Sequence, residues 1–326
     1  MKTVLAVDGG GSKTDAALVR EDGSLVGFAR GPLSHPHHIG VGPSADIVDA
    51  LAAKVGAPAD LGVLLLAGLD FPDEEDVYQA EAASRGWASR VIVGNDTFAV
   101  LRAGSEQGWG VAVTCGAGIN CVGVAPDGRQ IRFPSLGDIS GDWGGGRDVG
   151  MAAVFAAARS EDGRGPRTTL EQLVPAYFGY ATPAELSRAL HLGEVPERAI
   201  GELSPLTFAA AADDPVAAEI VDHVADEVVA IARAAVIRLG LAQEPVEVVL
   251  GGGLLRSRNE RLLSRIDAGL REVGPALSVH VTESAPVLGS ALLGLDELGA
   301  DDAAKQRLRS DLGAAVARLE TREVVP

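Results

Sequence analysis

The chain has 326 residues, 47% of them hydrophobic, which is enough for two domains that each bury a core. Its formal net charge of −17 disfavours binding to a phosphate backbone or an anionic membrane, so we expect neither nucleic acid nor a membrane as a partner. The first residues lack the features of a signal peptide, and no apolar stretch reaches the ~20 residues of a membrane span. We therefore expect a cytoplasmic protein.

Short β-branched runs alternate with helical patterns in the first third of the chain, which is typical of an α/β fold. Ser44 has the character of an N-cap residue, so we predict that a helix begins there. The other helices predicted in this part are 73–85 and 97–102, and the predicted strands are 4–7, 15–19, 25–29, 61–67 and 91–93.

The opening pattern of strand, glycine turn, strand and second turn returns at residues 111–128. Aligning Asp22-Gly23 with Asp127-Gly128 places Gly11 on Gly116, so the two units match at one offset. This repeat indicates an internal duplication. We predict a first domain over 1–108, a second over 109–300, and a C-terminal helix and tail over 301–326.

The rest of the chain is more helical. The predicted strands are 111–114, 120–124, 246–250 and 278–282, and the predicted helices are 150–159, 169–178, 182–191, 215–239, 259–273, 286–298 and 301–320, with a loose tail after residue 320.

Glycine is unusually frequent, at 41 residues, and has no collagen-like period. The first glycine turn follows Asp8 and brings backbone N–H groups, a hydroxyl and an ammonium around one point: Gly9, Gly10, Gly11, Ser12, Lys13 and Thr14. This is typical of an anion-binding nest, although a plain hairpin with a glycine bulge is the alternative. A second glycine turn at 115–118 and a third at 251–253 strengthen the anion-binding interpretation.

Two other segments carry candidate chemistry. Asp96 lies between a predicted strand and a predicted helix, where it serves either as an N-cap or as a proton acceptor. Residues 137–146 are glycine-rich and include Asp138, Asp142 and Trp143. Carboxylates there could bind sugar hydroxyls and the indole could stack on a ring, with a flexible interdomain loop as the alternative.

Neither a zinc site nor a disulfide framework is expected from the histidines at 35, 37 and 38 or from the two cysteines. The histidines lack the convergent ligands of a zinc site, so a polar loop facing the substrate is the better interpretation. Cys115 and Cys121 are too few for a disulfide framework, and small buried residues of a hairpin are the default expectation.

The chain resembles the BadF/BadG/BcrA/BcrD ATPase family in its motifs and their order. These motifs lie at 8–14, 95–96, 116–121, 141–142, 251–253 and 289–291. This family joins N-acetylglucosamine kinases to the ATPases that activate benzoyl-CoA reductases and 2-hydroxyacyl-CoA dehydratases. The resemblance covers about residues 3–298 and implies the actin-like, ribonuclease H-like ATPase fold, with two duplicated domains built on mixed five-stranded sheets. It also implies ATP and Mg²⁺ as cofactors.

The resemblance assigns roles position by position. Asp8 would orient Mg²⁺, and Asp96 would bind the sugar 6-hydroxyl and act as the base. The implied nucleotide ligands are Gly9, Gly10, Gly11, Ser12, Lys13, Thr14, Gly116, Ala117, Gly118, Gly251, Gly252, Gly253 and Arg256. The implied sugar ligands are His35, Asn95, Asp96, Ile119, Asn120, Asp138, Asp142 and Trp143.

Three positions depart from the pattern of N-acetylglucosamine kinases. His35 stands where an asparagine is usual, Ile119 where a serine is usual, and Trp143 where a glutamate is usual. The resemblance therefore implies a kinase for the primary hydroxyl of an amino sugar, with N-acetylglucosamine or glucosamine as the first expectation and N-acetylmuramic acid or another amino sugar left open. An activator ATPase and a non-catalytic sugar sensor are the alternatives, and a homodimer is an open expectation.

Overall fold

The computed structural model describes the backbone of residues 1–324 and the side chains of residues 1–321. The strands are β1 (Thr3–Gly9), β2 (Lys13–Arg20), β3 (Leu25–Pro32), β4 (Ala59–Leu66), β5 (Ala88–Asn95), β6 (Gly110–Cys115), β7 (Ile119–Val124), β8 (Gln130–Arg132), β9 (Glu247–Gly251) and β10 (Ser278–Val281).

The helices are α1 (Pro36–Ile39), α2 (Val41–Val55), α3 (Pro72–Arg85), α4 (Thr97–Gly104), α5 (Gly146–Glu161), α6 (Leu170–Tyr177), α7 (Pro183–His191), α8 (Ser204–Ala210), α9 (Pro215–Leu239), α10 (Gly253–Arg256), α11 (Glu260–Val273), α12 (Pro286–Glu297) and α13 (Asp302–Val324). Short 3₁₀ turns cover Gly137–Ile139 and Glu197–Leu203.

The first sheet has the order β3-β2-β1-β4-β5. Strand β1 is antiparallel to β2 and parallel to β4, and β4 is parallel to β5, so the sheet is mixed. Side chains alternate across the sheet: Leu5 and Val7 belong to the core that includes residues of α2 and α3, whereas Ala6 belongs to the core that includes residues of α12 and α13. Helices therefore cover both faces, which explains the continuous apolar sequence of β1.

The second sheet has the order β10-β9-β6-β7-β8. Reversed, this is the order of the first sheet, with β6, β7, β8, β9 and β10 in the places of β1 to β5. Strands β9 and β10 are parallel, as are β4 and β5 of the first sheet. Strands β7 and β8 are antiparallel, as are β2 and β3. The two mixed five-stranded sheets confirm the predicted fold class and the predicted duplication.

The chain forms two compact units that are interleaved in sequence. The first contains residues 1–112, residues 122–134 and the chain from Thr282 onward, and the second contains residues 113–121 and 135–281. The domain boundaries expected at residues 108 and 300 stay a prediction. Among residues 1–324, every helix is too short or too polar to cross a membrane.

Three local predictions were wrong. Ser44 does not begin a helix, because α2 begins at Val41 after Gly40, and the Ser44 hydroxyl lies inside, donating to the Ser34 carbonyl at 2.5 Å. The histidine segment is not a loop throughout, since residues 36–39 form α1. Helix α13 continues to Val324, beyond the expected end at residue 320, and residues 325–326 of the expected tail lie outside the described residues.

Helix α12 approaches α4 at a distance that only glycine permits. A Cβ atom at Gly289 would lie 1.9 Å from the Ala99 carbonyl oxygen. Nearby, the Ser290 hydroxyl donates to the Val7 carbonyl at 3.0 Å, and Arg102 of α4 pairs with Asp296 of α12 at 2.6 Å. The sequence motif at 289–291 is therefore explained by packing within the first unit.

We predict that Gly289→Ala lowers the free energy of unfolding by about 1–3 kcal/mol, because the added methyl group overpacks the contact with Ala99. Gly313→Ala in α13 is the matched control, since that glycine is exposed and its added methyl group meets no described atom within 4 Å. The control should gain about 0.5–1 kcal/mol from helix propensity. Thermal unfolding measures both, and equal midpoints for the two variants would contradict the assignment.

Candidate active site

The carboxyl ends of β1, β4 and β5 meet at one edge of the first sheet. The register pairs Gly9 with Leu66 and Leu66 with Asn95, so these three residues lie in one row. Asp8 lies just before this row on β1, and Asp96 lies just after it, at the end of β5. Ligands of open α/β sheets bind outside the carboxyl ends of the strands, so this edge is a candidate site.

The turn after β1 is built on close backbone contacts. A Cβ atom at Gly9 would lie 2.5 Å from the Ser34 hydroxyl, and the Gly10 N–H donates to the Lys13 carbonyl at 2.9 Å. Gly11 and Ser12 are exposed, which leaves their polar groups accessible to an anion. Lys13 lies beside them, with its ammonium 3.6 Å from Asp15.

Thr14 does not fit its expected role as a nucleotide ligand. Its side chain is fully buried, and its hydroxyl contacts the Pro32 carbonyl at 2.7 Å and the Ser34 hydroxyl at 2.8 Å. The hydroxyl therefore holds the turn against the end of β3 instead of facing a ligand.

His35 lies flat against the backbone that follows β4. A Cβ atom at Gly68 would lie 2.2 Å from the imidazole Cε1, so only glycine leaves room for the ring. The ring stacks on His38 with centroids 3.9 Å apart, and its Nδ1 is buried without a hydrogen-bond partner among the described residues. Burial, followed by the nearby His38 and His37, lowers the pKa of His35 to about 4, so the imidazole is neutral at physiological pH.

Asp96 occupies the N-cap position of α4, but its side chain accepts no capping hydrogen bond. The neighbouring Asn95 takes that role, since its Oδ1 accepts from the Thr97 N–H at 2.9 Å. Burial raises the pKa of Asp96 to about 6, against the opposing effect of Thr97. A half-buried carboxylate that is not used for capping and has a raised pKa is suited to accept a proton.

Asp70 is a residue of this edge that the sequence did not single out. Its Oδ1 accepts from the Asn95 side-chain amide at 3.0 Å, one residue before Asp96. No local pattern marks it, because Asp70 lies in a connection between a strand and a helix, and its partner is distant in the chain.

The glycine clusters of the second unit meet around the turn at 116–118. A Cβ atom at Gly145 would lie 2.3 Å from the Ala117 carbonyl oxygen, and one at Gly252 would lie 2.2 Å from the Cys115 carbonyl oxygen. The Gly146 N–H also donates to the Gly116 carbonyl at 2.8 Å. The turn is thus contacted by backbone from two other segments, while Ala117 and Gly118 stay exposed.

Asp148 fixes the loop that bears Gly145 and is a second residue that the sequence did not single out. One of its carboxylate oxygens accepts from the N–H groups of Gly144 and Gly145, both at 3.0 Å. An aspartate at the third position of α5 is a familiar helix-capping arrangement. The three-residue spacing from Gly145 to Asp148 is the sequence signal that could have indicated this capping role.

The third glycine segment ends β9 and begins α10. Gly251 is buried, Gly252 has a φ of 86°, and Gly253 is exposed. Arg256 is the last residue of α10, one turn further on. The expected adenosine-binding segment therefore includes Gly252, whose backbone lies against Cys115, directly before the turn at 116–118.

Two expected sugar ligands, Ile119 and Asn120, directly follow this turn, and two others lie in the segment before Trp143. Ile119 is buried, with its Cδ1 3.6 Å from where a Cβ atom at Gly144 would lie, and the Asn120 side-chain oxygen accepts from the Cys121 N–H at 2.7 Å. Asp142 accepts a hydrogen bond from the Ser140 hydroxyl. Asp138 is exposed in the 3₁₀ turn before it.

Trp143 stacks on His223 of α9, with ring centroids 4.0 Å apart. Both rings line a cavity of about 300 Å³, which also includes Phe155, Arg159 and Glu219. The indole is therefore fixed by a protein ring, so stacking on a sugar through that same face is excluded.

Both cysteines are buried, in β6 and β7. Burial raises the pKa of each thiol well above its usual range, so neither is a reactive thiolate. This supports the expectation that they are small packing residues.

We predict that Gly145→Ala weakens ATP binding on the order of tenfold, because the new methyl group must displace the Ala117–Gly118 backbone. Gly150→Ala is the matched control in the same unit: its Cβ would lie 2.0 Å from the Ile200 carbonyl oxygen, away from the turn. Isothermal titration calorimetry at a temperature where both variants are folded measures the affinities. Equal losses in both variants would contradict a local effect on the turn.

Comparison with known proteins agrees with this architecture. The sequence profile of the BadF/BadG/BcrA/BcrD ATPase family matches residues 5–294. An N-acetylmuramic acid/N-acetylglucosamine kinase from Clostridium acetobutylicum is 27% identical over 267 residues, which cover 79% of this chain and 87% of that protein. An N-acetyl-D-glucosamine kinase from Dictyostelium discoideum is 23% identical over 315 residues, which cover 90% of this chain and 97% of that protein.

A solved structure from Chromobacterium violaceum, assigned as a candidate N-acetylglucosamine kinase, superposes with a TM-score of 0.71 at 25% identity. The superposition covers 90% of this chain and 99% of that one. Because the family profile spans nearly the whole chain and the fold agrees, the chain belongs to the BadF/BadG/BcrA/BcrD ATPase family.

Proposed function

We propose that this protein is an ATP-dependent kinase that phosphorylates the primary 6-hydroxyl of an amino sugar, N-acetylglucosamine or glucosamine. The observation that carries the proposal is Asp96. It lies at the carboxyl edge of the first sheet, directly after the row defined by Gly9 and Asn95, and burial raises its pKa to about 6. Both relatives are named as kinases of N-acetylglucosamine, and one of them also as a kinase of N-acetylmuramic acid, which supports an amino sugar as the substrate class.

The proposed reaction is a direct transfer of the γ-phosphoryl group. The Asp96 carboxylate accepts the proton of the sugar 6-hydroxyl as the oxygen attacks the γ-phosphorus. A sugar O–P bond forms, the bond between the γ-phosphorus and the bridging oxygen breaks, and ADP leaves with that oxygen. There is little covalent chemistry for the protein beyond this proton transfer, so positioning and charge stabilisation provide the rate.

Backbone amides are well suited to hold the phosphates of ATP in this chain. The net charge of −17 gives no long-range attraction for a polyanion. The exposed residues of the turn at 9–13 and of the turn at 116–118 instead offer N–H groups at short range. We assign the first turn and the second turn to the phosphates, and residues 251–253 with Arg256 to the adenosine.

Asp8 fits the carboxylate that Mg²⁺ requires. It lies at the end of β1 with 8% of its surface exposed, directly before the glycine turn whose residues Gly11 and Ser12 are exposed. No three His, Cys, Asp or Glu side chains of the described chain converge in a way that could hold a metal alone. Magnesium commonly uses one or two carboxylates together with substrate phosphates and water, which is what Asp8 could provide. When bound, the ion would supply charge neutralisation at the phosphates.

The alternatives are less well supported. An activator ATPase would need cysteines that ligate an iron–sulfur cluster, whereas Cys115 and Cys121 are buried thiols with raised pKa. A non-catalytic sugar sensor would have no use for the partly buried carboxyl of Asp96. Neither alternative is favoured by an observation of its own.

The proposal includes ATP and an amino sugar as the small-molecule partners and the cytoplasm as the location. Homodimer formation and the absence of a nucleic-acid partner stay predictions. His35 and Ile119 remain our candidates for selecting the sugar, because both differ from the pattern of N-acetylglucosamine kinases. A coupled assay of ADP release over glucosamine, N-acetylglucosamine, N-acetylmuramic acid, N-acetylmannosamine and glucose would identify the preferred substrate.

We predict that Asp96→Asn abolishes sugar phosphorylation and leaves ATP affinity largely intact, because the amide cannot accept the hydroxyl proton but fills the same space. A loss of roughly a hundredfold or more in kcat is expected for a general base. The coupled assay measures turnover and calorimetry measures ATP affinity. Turnover equal to that of the unaltered protein would reject the proposed function.

We also predict that kcat/KM for the sugar falls as the pH drops through about 6. The base must be ionised, and the raised pKa of Asp96 means that protonation removes the active form near that pH. The measurement is a pH profile of kcat/KM over roughly two units on either side of this pKa. An acidic limb near about pH 4, the value of an ordinary aspartate, would contradict the assigned environment of Asp96.

A further inference from the structure

Asp70 lies in the connection between β4 and α3 and is tied to the end of β5. Its Oδ1 accepts from Asn95 Nδ2 at 3.0 Å, and the same amide nitrogen donates to the Leu69 carbonyl at 3.3 Å. Asn95 is 2% exposed and Asp70 is partly exposed, so the contact lies at the edge of the protein interior. A hydrogen bond in a partly buried place is stronger than one in water.

Asn95 also binds the first turn of α4. Its Oδ1 accepts from the Thr97 N–H at 2.9 Å, so one amide joins the loop at 69–70 to the first turn of the helix. Asp96 lies between the two bonded residues, Asn95 and Thr97. The direction of its carboxyl therefore depends on how the Asn95 amide is held.

The loop that bears Asp70 is itself fixed. Glu74 Oε2 accepts from the N–H groups of Asp70 at 2.8 Å and of Phe71 at 3.0 Å. The other oxygen of Glu74 contacts His37 Nε2 at 2.9 Å, which connects the loop to α1. Because Glu74 binds the backbone of this loop, Asp70 is held in place and can hold the Asn95 amide in turn.

The charged groups around Asp70 come from every neighbouring element. Burial, then Glu74 of α3 and Asp96 before α4, raise the pKa of Asp70 to about 7, while His37 of α1 and Arg132 of β8 act in the opposite direction. Arg132 is also bound to Glu75 by two hydrogen bonds, at 2.6 and 3.1 Å. A negative charge on Asp96 thus disfavours ionisation of Asp70.

We propose that Asp70 is a positioning residue for the phosphoryl-transfer reaction, acting on Asp96 through the Asn95 amide. The inference rests on the proposed kinase function, because it assigns to Asp70 an effect on the base of that reaction. Asp70 need not touch the sugar or ATP for this role. Its carboxylate holds the Asn95 amide, and that amide fixes the backbone on both sides of Asp96.

The test compares Asp70→Ala, Asp70→Asn and the control Asp76→Ala, an exposed aspartate one helical turn into α3. Asp70→Ala removes the nearer of the two acceptors of the Asn95 amide nitrogen, so kcat should fall on the order of tenfold to a hundredfold, with the KM for ATP unchanged. Asp70→Asn keeps a side-chain oxygen in that place, so it should restore most of kcat. Asp76→Ala should behave as the unaltered protein.

The split between kcat and KM separates positioning from a merely structural effect. Asp70→Ala should lower kcat while the KM for ATP and the midpoint of thermal unfolding stay close to those of Asp76→Ala. A structural defect would lower the thermal midpoint and raise the KM for ATP as well.

Two results would overturn the inference: Asp70→Ala with the kcat of Asp76→Ala, or Asp70→Asn with a kcat as low as that of Asp70→Ala. An unaltered protein that phosphorylates no amino sugar would reject the proposed function instead. In that case the carboxyl ¹³C resonance of Asp96, recorded by NMR at a pH well above both pKa values, still decides the inference. It should shift in Asp70→Ala and return toward its original position in Asp70→Asn, and an unchanged resonance in Asp70→Ala would refute the positioning role.

Discussion

The architecture depends on contacts between backbone segments that are too close for any side chain. Gly252 lies against the Cys115 carbonyl, Gly145 against the Ala117 carbonyl, and Gly289 against the Ala99 carbonyl. In the first two cases these contacts define the turn at 116–118, and in the third they set the approach of α12 to α4. The high glycine content is thus partly a packing requirement, in addition to the conformational freedom of glycine.

The same constraint bears on how an acidic protein could hold ATP. A chain with a net charge of −17 has few cations to spare, and Lys13 of the first turn is already 3.6 Å from Asp15. Exposed backbone amides at glycine turns provide short-range partial positive charge without a side chain. The acidity of the protein is therefore compatible with the proposed role of each glycine turn in binding phosphate.

Much of the fold is readable from sequence, because nine of the strands carry continuous or alternating apolar patterns and the two hairpins repeat at one offset. Strand β8 escapes prediction, since three residues are too short for a pattern. The start of α2 is misplaced because Ser44 is a good capping residue, yet its hydroxyl is used in a buried contact with Ser34. Local preference gives way to tertiary packing.

The candidate site is predictable where the chemistry is local and not where it depends on distant partners. Asp8, Asp96 and the glycine turns stand at strand ends, which sequence patterns locate well. Asp70 could not be found, because its importance comes from a bond to Asn95, 25 positions further along. Thr14 follows the glycine turn and so resembles a ligand, but its hydroxyl is bound inside the protein by Pro32 and Ser34, which lie 18 and 20 positions further along.

The central claim is that the γ-phosphoryl group of ATP is transferred to the primary hydroxyl of an amino sugar. Incubation with ATP and ¹³C-labelled N-acetylglucosamine or glucosamine, followed by NMR of the product, tests it most directly. We expect phosphorus coupling at carbon 6 of one of these sugars, together with one ADP per sugar phosphate. ADP formed without any phosphorylated sugar, or phosphate on another carbon, would contradict it.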